Sequence, residues 1–157
     1  MLDFIKRITV SNICVRAILS RECDKLKLPV IPKLILGQAY PDKYGSRKKN
    51  RIFINISVHG LHDWVQTLRH ELRHEWQSLH YNDIVEWCVS KPEYYKFGRF
   101  YELCPVELDA EYYARIKGTV IDGPINYYTV SELEEMYQNG SLIEHLARLA
   151  WWYGFDY

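Results

Sequence analysis

Two histidines and a glutamate in the segment His70-Glu71-Leu72-Arg73-His74 are the residues whose types and spacing could do chemistry in this chain. On an α-helix, residues four apart lie on the same face, so the two imidazoles can chelate one Zn²⁺ ion. The carboxylate beside them can then take a proton from a water bound to the metal. The spacing therefore predicts a zinc-dependent peptidase, with His70 and His74 as metal ligands and Glu71 as general base.

The residues around this motif divide as they would on an amphipathic helix over positions 61–81. A turn of about 100° per residue separates a polar sector from an apolar one. The polar sector carries Thr67, His70, Glu71, His74, Gln77 and Ser78, and the apolar sector carries Leu61, Val65, Leu68, Leu72, Trp76 and Leu79. This division predicts one chemical face and one core face. The alternative is an exposed helix face that happens to carry two histidines and a glutamate.

A catalytic zinc site also needs a third protein ligand and an open position for water. Residues 105–114 are the strongest downstream candidate, because a proline followed by acidic residues is typical of a helix N-terminus. One face of that helix carries Glu107, Ala110, Glu111 and Ala114. The small alanines would let this helix lie close to the metal-binding helix, so that a glutamate could reach the metal.

We predict that Glu107 is the third ligand and that Glu111 accepts a hydrogen bond from the Nδ1–H of a metal-bound histidine. Two alternatives stay open at this point. Glu111 could bind the metal in place of Glu107, or Glu107, Asp109 and Glu111 could form the solvated first turn of an ordinary helix.

The pattern His70-Glu71-x-x-His74 followed by Glu107-x-x-Ala110 resembles the gluzincin metallopeptidases, particularly compact bacterial and phage types similar to the ImmA/IrrE proteins and the minigluzincins. The resemblance covers roughly positions 34–117. It implies a zincin-like fold in which His70, His74 and Glu107 hold zinc and an extended substrate lies along an edge strand. Arg73 departs from the family pattern, which usually has a small residue there, and its length bears on how closely a neighbouring chain can approach.

The order of predicted elements indicates an α+β fold. Residues 3–27 carry apolar side chains at helical spacing, which predicts an N-terminal packing helix that Pro29 closes. Residues 34–36 and 51–56 read as strands, and the second alternates regularly in isoleucine. They predict a hairpin, and therefore a small antiparallel sheet, ahead of the metal-binding helix. Residues 51–56 are the candidate edge strand for substrate, with a plain core strand as the alternative.

Two capping boxes, Ser131-x-x-Glu134 and Ser141-x-x-Glu144, predict a C-terminal helical hairpin. Length and dispersed Pro and Gly favour a single domain over 1–157, in which residues 124–157 form a C-terminal helical extension. We expect the aromatic cluster at positions 151–157 to pack in the core. An exposed patch for a partner, or a segment that covers the cleft, is the alternative.

Other features of the chain are less specific. The aromatic segment at positions 80–103 could form core or wall the cleft, and Tyr101 and His80 are candidate donors to the tetrahedral oxyanion. The basic run at positions 46–51 is interpreted as a solvated turn rather than a nucleic-acid patch.

The chain carries 20 basic and 20 acidic residues, so no global field draws it to nucleic acid or to an anionic membrane. No stretch is apolar for long enough to span a bilayer, and charges interrupt the N-terminal apolar residues, which predicts a cytoplasmic protein. The four cysteines form no C-x-x-C pair and are expected to be ordinary thiols. The expected partner is a protein or peptide substrate, and the oligomeric state stays open. The alternative function is a catalytically inactive metal-binding protein that acts through a partner.

Overall fold

A computed structural model of the chain describes the backbone of residues 2–37, 45–55, 64–95 and 100–155. The elements in chain order are α1 (Leu2–Lys25), β1 (Lys33–Gly37), β2 (Gly45–Lys48), β3 (Arg51–Asn55), α2 (Trp64–His80), α3 (Asn82–Val89), α4 (Pro92–Tyr95), α5 (Pro105–Arg115), α6 (Val130–Gln138) and α7 (Leu142–Trp152). Short 3₁₀ turns at Tyr101–Leu103 and Pro124–Tyr127 precede α5 and α6. The fold is α+β, as the sequence predicts. The chain groups into two compact units, Met1–Leu72 and Arg73–Tyr157, and the division falls inside α2.

In the first unit, a buried carboxylate links α1 to the first half of α2. Glu22 on α1 is only 1% exposed, and its oxygens accept hydrogen bonds from Arg69, Arg21 and Lys25. Burial raises the pKa of Glu22, but the hydrogen bonds from Arg69 and Lys25 outweigh it and hold the pKa below its usual range. Arg69 directly precedes His70, so this ion pair joins α1 to the turn of α2 that leads to the first histidine.

The sheet corrects the predicted strand pairing. Its order is β1-β3-β2, with β1 parallel to β3 and β2 antiparallel to β3. The predicted antiparallel hairpin of residues 34–36 with 51–56 is therefore wrong, because the hairpin forms between β2 and β3. Alternation reports which face a strand buries and does not identify its neighbour. The sheet is mixed rather than antiparallel.

The predicted edge strand at residues 51–56 is also wrong. β3 is paired on both sides, so in the described part of the sheet the edges are β1 and β2. Ile52 and Ile54 are buried, as the alternation predicts, while position 56 lies outside the described residues. The basic run falls in the β2–β3 hairpin, where Lys48 and Lys49 are exposed.

In the second unit, α5 begins at Pro105 as predicted, and most of its first turns are buried. Glu107 is 7% exposed and Asp109 is 0% exposed, so the alternative of a solvated first turn is wrong. Ala110 and Ala114 are also buried, which matches the expectation that small residues allow close packing along this helix.

The predicted helical hairpin at the C-terminus is present as α6 and α7, but its first cap lies elsewhere. Thr129 and Glu132 form the capping box of α6: Glu132 N donates to Thr129 Oγ1 over 3.2 Å, and Thr129 N donates to Glu132 Oε2 over 2.9 Å. The box predicted at Ser131 and Glu134 is therefore wrong.

The Glu134 carboxylate instead accepts hydrogen bonds from Lys91 and from Trp87. The hydrogen bond from Lys91 is the largest of the causes that lower the pKa of Glu134 to about 2.

The second predicted cap and the terminal aromatic cluster are confirmed only in part. Ser141 is the N-cap residue of α7, but its side chain makes no capping hydrogen bond. Phe155 is 2% exposed, as core packing predicts, whereas Trp151 and Trp152 are 73% and 77% exposed. The two tryptophans lie outside the buried face of α7, which consists of Leu142, Leu146 and Ala150.

Within the described ranges, none of the helices combines the length and the apolar character that a bilayer crossing requires. The single domain over 1–157 stays a prediction.

Candidate metal centre

The helix α2 positions the motif much as the sequence predicts. It runs from Trp64 to His80, and positions 61–63 of the predicted helix lie outside the described residues. On its apolar face Leu68 and Leu72 are fully buried. Leu79 was predicted on that face but is 54% exposed, because it lies in the last turn of the helix, beyond the buried stretch.

Three side chains of the types that zinc prefers converge at this helix. His70, His74 and Glu107 each bring one ligand atom into a group whose atoms all lie within 4.8 Å of one another. His74 Nε2 lies 3.5 Å from Glu107 Oε1. Two imidazoles and a carboxylate are a donor set of known catalytic zinc sites, so the residues present fit the metal. The group can hold a metal ion, as the sequence predicts.

The structure favours Glu107 over Glu111 as the third ligand. Glu107 belongs to the convergent group, whereas Glu111, one turn later on α5, accepts a hydrogen bond from Arg115 Nε over 2.7 Å. Arg115 occupies part of the Glu111 carboxylate in a pair that is partly exposed on both sides.

Replacing Glu107 with Gln should therefore weaken zinc binding sharply, because an amide oxygen is a poorer and uncharged ligand for Zn²⁺. Glu111→Gln, the same chemical change one turn away, should leave zinc affinity unchanged. Competition with a chromophoric chelator measures both affinities. Equal losses in the two variants would show that the third ligand had been assigned wrongly.

The outer partner of His74 is a residue that the sequence did not single out. Gln77 Oε1 lies 2.8 Å from His74 Nδ1, and the Gln77 side chain is fully buried. A metal-bound histidine was predicted to donate its Nδ1–H to Glu111. For His74, the partner of Nδ1 is Gln77 instead. The available signal was the position of Gln77 on the polar sector, three residues after His74, where one helical turn brings two side chains together.

Arg73 is a second residue of α2 whose surroundings the sequence did not predict. It was expected to bear on the approach of a neighbouring chain, and its side chain is 0% exposed. Its guanidinium donates to Asp109 on α5 from Nε over 2.7 Å and from Nη2 over 3.1 Å. The guanidinium also lies over the ring of Trp76, with Cζ 3.7 Å from the centroid. The long cation therefore binds α5 to the second half of α2, within the second unit, and does not keep the two apart.

Glu71, the predicted general base, is 8% exposed and faces the strand β2. A Cβ added at Gly45 would lie 3.1 Å from Glu71 Oε1 and 2.7 Å from Thr67 Cγ2. A side chain at this position would require Thr67, Glu71 or β2 to shift, so glycine allows β2 to pass close to α2. Gly45 of β2 therefore lies directly beside the candidate general base, with no room for a further side chain between them.

Neither a family model nor a curated protein nor a solved structure matches this chain. The resemblance to gluzincins thus depends on the motif residues alone.

The two candidates for the oxyanion role, His80 and Tyr101, both lie near the surface of the second unit. His80 is exposed at the end of α2, with its ring 4.9 Å from that of Trp76. It follows His74 by six residues, which is about 9 Å along a helix axis. Tyr101 is 41% exposed and begins a 3₁₀ turn. The oxyanion role of both residues stays a prediction.

Cys104, the thiol nearest to the ligands in sequence, is the N-cap residue of α5 and is fully buried. Burial raises the pKa of Cys104 well above its usual range, and the neighbouring Cys88 and Glu107 raise it further. The thiol therefore stays protonated near neutral pH and is a poor nucleophile, consistent with the prediction of an ordinary thiol.

Proposed function

We propose that this chain is a zinc-dependent peptidase that hydrolyses peptide bonds of a protein substrate. The observation that carries the proposal is the convergence of His70, His74 and Glu107, with Glu71 beside the first of them on the same helix. Structural zinc sites almost always have four protein ligands, whereas catalytic sites have three and keep a position open for water. The part of the chain that the structure describes brings three ligands together, as in a catalytic site.

Each protein group has one role in the proposed reaction. His70, His74 and Glu107 would hold the zinc, which supplies Lewis acidity toward a water molecule and toward the scissile carbonyl. Glu71 accepts the proton of the attacking water and passes it to the nitrogen of the leaving amine. Its low exposure strengthens its interactions with the reacting groups, because little solvent screens them.

The strand β2 offers a place for an extended substrate. An edge strand carries backbone N–H and C=O groups that can pair with a peptide, so recognition by strand addition demands no particular side chain. Because β2 passes Glu71 at Gly45, a peptide added to this edge would run beside the general base. This replaces the predicted substrate strand, residues 51–56, by the neighbouring strand of the same sheet.

Replacing Gly45 with Ala should lower kcat/KM by about 10²-fold, the cost of a misplacement of about 1 Å at a reacting centre. The added Cβ would displace β2, Thr67 or the Glu71 carboxylate. Gly37→Ala in β1 is the matched control, because an added Cβ there meets nothing within 4 Å. Steady-state hydrolysis by the two variants measures the difference. Equal activity of the two variants would show that the position of β2 does not affect the reaction.

The direct test of the proposed function is turnover of an unstructured protein by the purified full chain. We expect cleavage with stoichiometric zinc, loss of cleavage after chelation, and recovery when Zn²⁺ is restored. Bound zinc without cleavage of any of a varied peptide library would instead favour a catalytically inactive metal-binding protein. Failure to bind zinc would remove both functions.

A further inference from the structure

We infer that Gln77 is a positioning residue that fixes the ring of His74 in its metal-binding tautomer and connects that ring to the buried charge of Asp109. The inference rests on the metal site of the proposed function, but it does not require that the protein be a peptidase.

The orientation of the Gln77 amide is determined by its surroundings. Gln77 Nε2 donates to the backbone oxygen of Val106 and to Asp109 Oδ2, each over 2.8 Å. A backbone oxygen can only accept hydrogen bonds, and so can the carboxylate that Arg73 pairs with. If the amide were flipped, its oxygen would face two acceptors in a buried site, which costs free energy comparable to that of unmade hydrogen bonds.

The orientation of this amide decides the tautomer of His74. Gln77 Oε1 faces His74 Nδ1 over 2.8 Å, and an amide oxygen can only accept. Nδ1 must therefore carry the hydrogen, which leaves the lone pair of a neutral ring on Nε2. Nε2 is the atom that lies 3.5 Å from Glu107 Oε1, within the ligand group. The protein therefore presents the metal-binding nitrogen without help from the metal.

The far end of this chain of hydrogen bonds is held firmly. Asp109 accepts two hydrogen bonds from Arg73 and one from the backbone N–H of Ile125 over 3.3 Å. An added Cβ at Gly123 would overlap Asp109 Oδ1, so the segment after α5 packs directly on the carboxylate. Asp109 can therefore keep its position while it polarises the Gln77 amide.

A metal-bound histidine usually donates its second N–H to a carboxylate or carbonyl, which orients the ring and raises its basicity. In this protein the amide of Gln77 lies between the ring of His74 and the carboxylate of Asp109. Hydrogen bonds in series polarise one another, so the charge of Asp109 strengthens the acceptor at Gln77 Oε1. The buried pair of Arg73 and Asp109 thereby acts on the metal site through Gln77.

The tautomer can be measured in the wild-type full chain without metal, by nitrogen NMR of the histidine rings. At about pH 8, above the ordinary histidine pKa of about 6.5, we expect His74 to carry its proton on Nδ1. A proton on Nε2 alone, or a mixture of the two tautomers, would overturn the inference. This result does not depend on peptidase activity or on the presence of zinc.

The second arm uses Gln77→Met, which keeps side-chain length but removes both hydrogen-bonding groups. We expect Zn²⁺ affinity, measured by chelator competition, to fall 10- to 100-fold. The visible spectrum of the Co²⁺-loaded variant should also change, because the ring of His74 is no longer oriented.

Leu133→Ala is the matched control, because Leu133 is fully buried on α6 and its loss lowers stability through a cavity. The control should have wild-type Zn²⁺ affinity and an unchanged Co²⁺ spectrum below its melting temperature. If Gln77→Met binds Zn²⁺ as tightly as wild type, the positioning role is wrong even though the metal site stands. If wild type binds no Zn²⁺, the proposed function fails, and the NMR measurement still decides the tautomer.

Discussion

Glu71→Gln should bind zinc with wild-type stoichiometry and lose hydrolysis by about 10²- to 10⁴-fold, the usual contribution of a general base. Glutamine keeps the shape of the side chain, but it cannot accept a proton from the attacking water. His70, His74 and Glu107 are untouched, so the metal ligands remain. Elemental analysis of the purified variant and kcat/KM on an unstructured protein measure the two properties separately.

Two further variants are the controls for Glu71→Gln. His74→Ala removes a metal ligand and should lose both zinc and hydrolysis. Glu86→Gln makes the same chemical change on an exposed position of α3 and should change neither. Hydrolysis by Glu71→Gln at the wild-type rate would remove the general-base assignment, and loss of zinc from that variant would place Glu71 among the ligands.

Local patterns were sufficient to identify the residues that could hold a metal ion. The spacing of His70 and His74 on a helix of period 3.6 determines that both face one way, and no distant contact is needed for that conclusion. The start of α5 at Pro105 follows equally from local rules for helix N-termini. The sequence therefore predicted which residues form the ligand group, and the structure brings Glu107 to the two histidines as expected.

The strand pairing was beyond these patterns. Gly45–Lys48 has no apolar alternation, so nothing local marks it as a strand, yet it pairs with β3 and forms one edge of the sheet among the described strands. Its strand conformation depends on the neighbouring β3, which supplies the hydrogen bonds. The parallel pairing of β1 with β3 likewise depends on how the intervening chain crosses, which the side-chain pattern of neither strand records.

The network of Arg73, Gln77 and Asp109 was missed because its contacts join residues 32 and 36 positions apart. A sequence pattern shows an arginine and an aspartate as surface residues by default, since charges are rarely buried without a partner. Asp109 becomes the partner of Arg73 only because α5 packs on the second half of α2 within the second unit. Burial of a charge is decided by such a partner and is not a property of its own segment.

Arg73→Met should lower the free energy of unfolding by about 3–5 kcal/mol, the typical cost of removing one partner of a buried ion pair. The variant would leave the Asp109 carboxylate buried without its cation, with the hydrogen bonds from Gln77 and Ile125 remaining among the described residues. Arg73→Lys keeps the charge but loses the two-pronged geometry, so we expect a smaller loss. Denaturant unfolding of the metal-free protein measures both, because bound zinc would itself add stability.

Arg148→Met controls for the substitution itself, because the pair of Arg148 with Glu144 is more than 70% exposed on both sides, and little change is expected. A double-mutant cycle with Asp109→Asn then isolates the pair. Arg73→Met/Asp109→Asn contains no uncompensated buried charge, so it should be less destabilised than the sum of the single variants. A strictly additive cycle would mean that Arg73 acts through its stacking on Trp76 and not through Asp109. In that case Asp109 would no longer be anchored by charge, and its influence on the ring of His74 through Gln77 would lose its source.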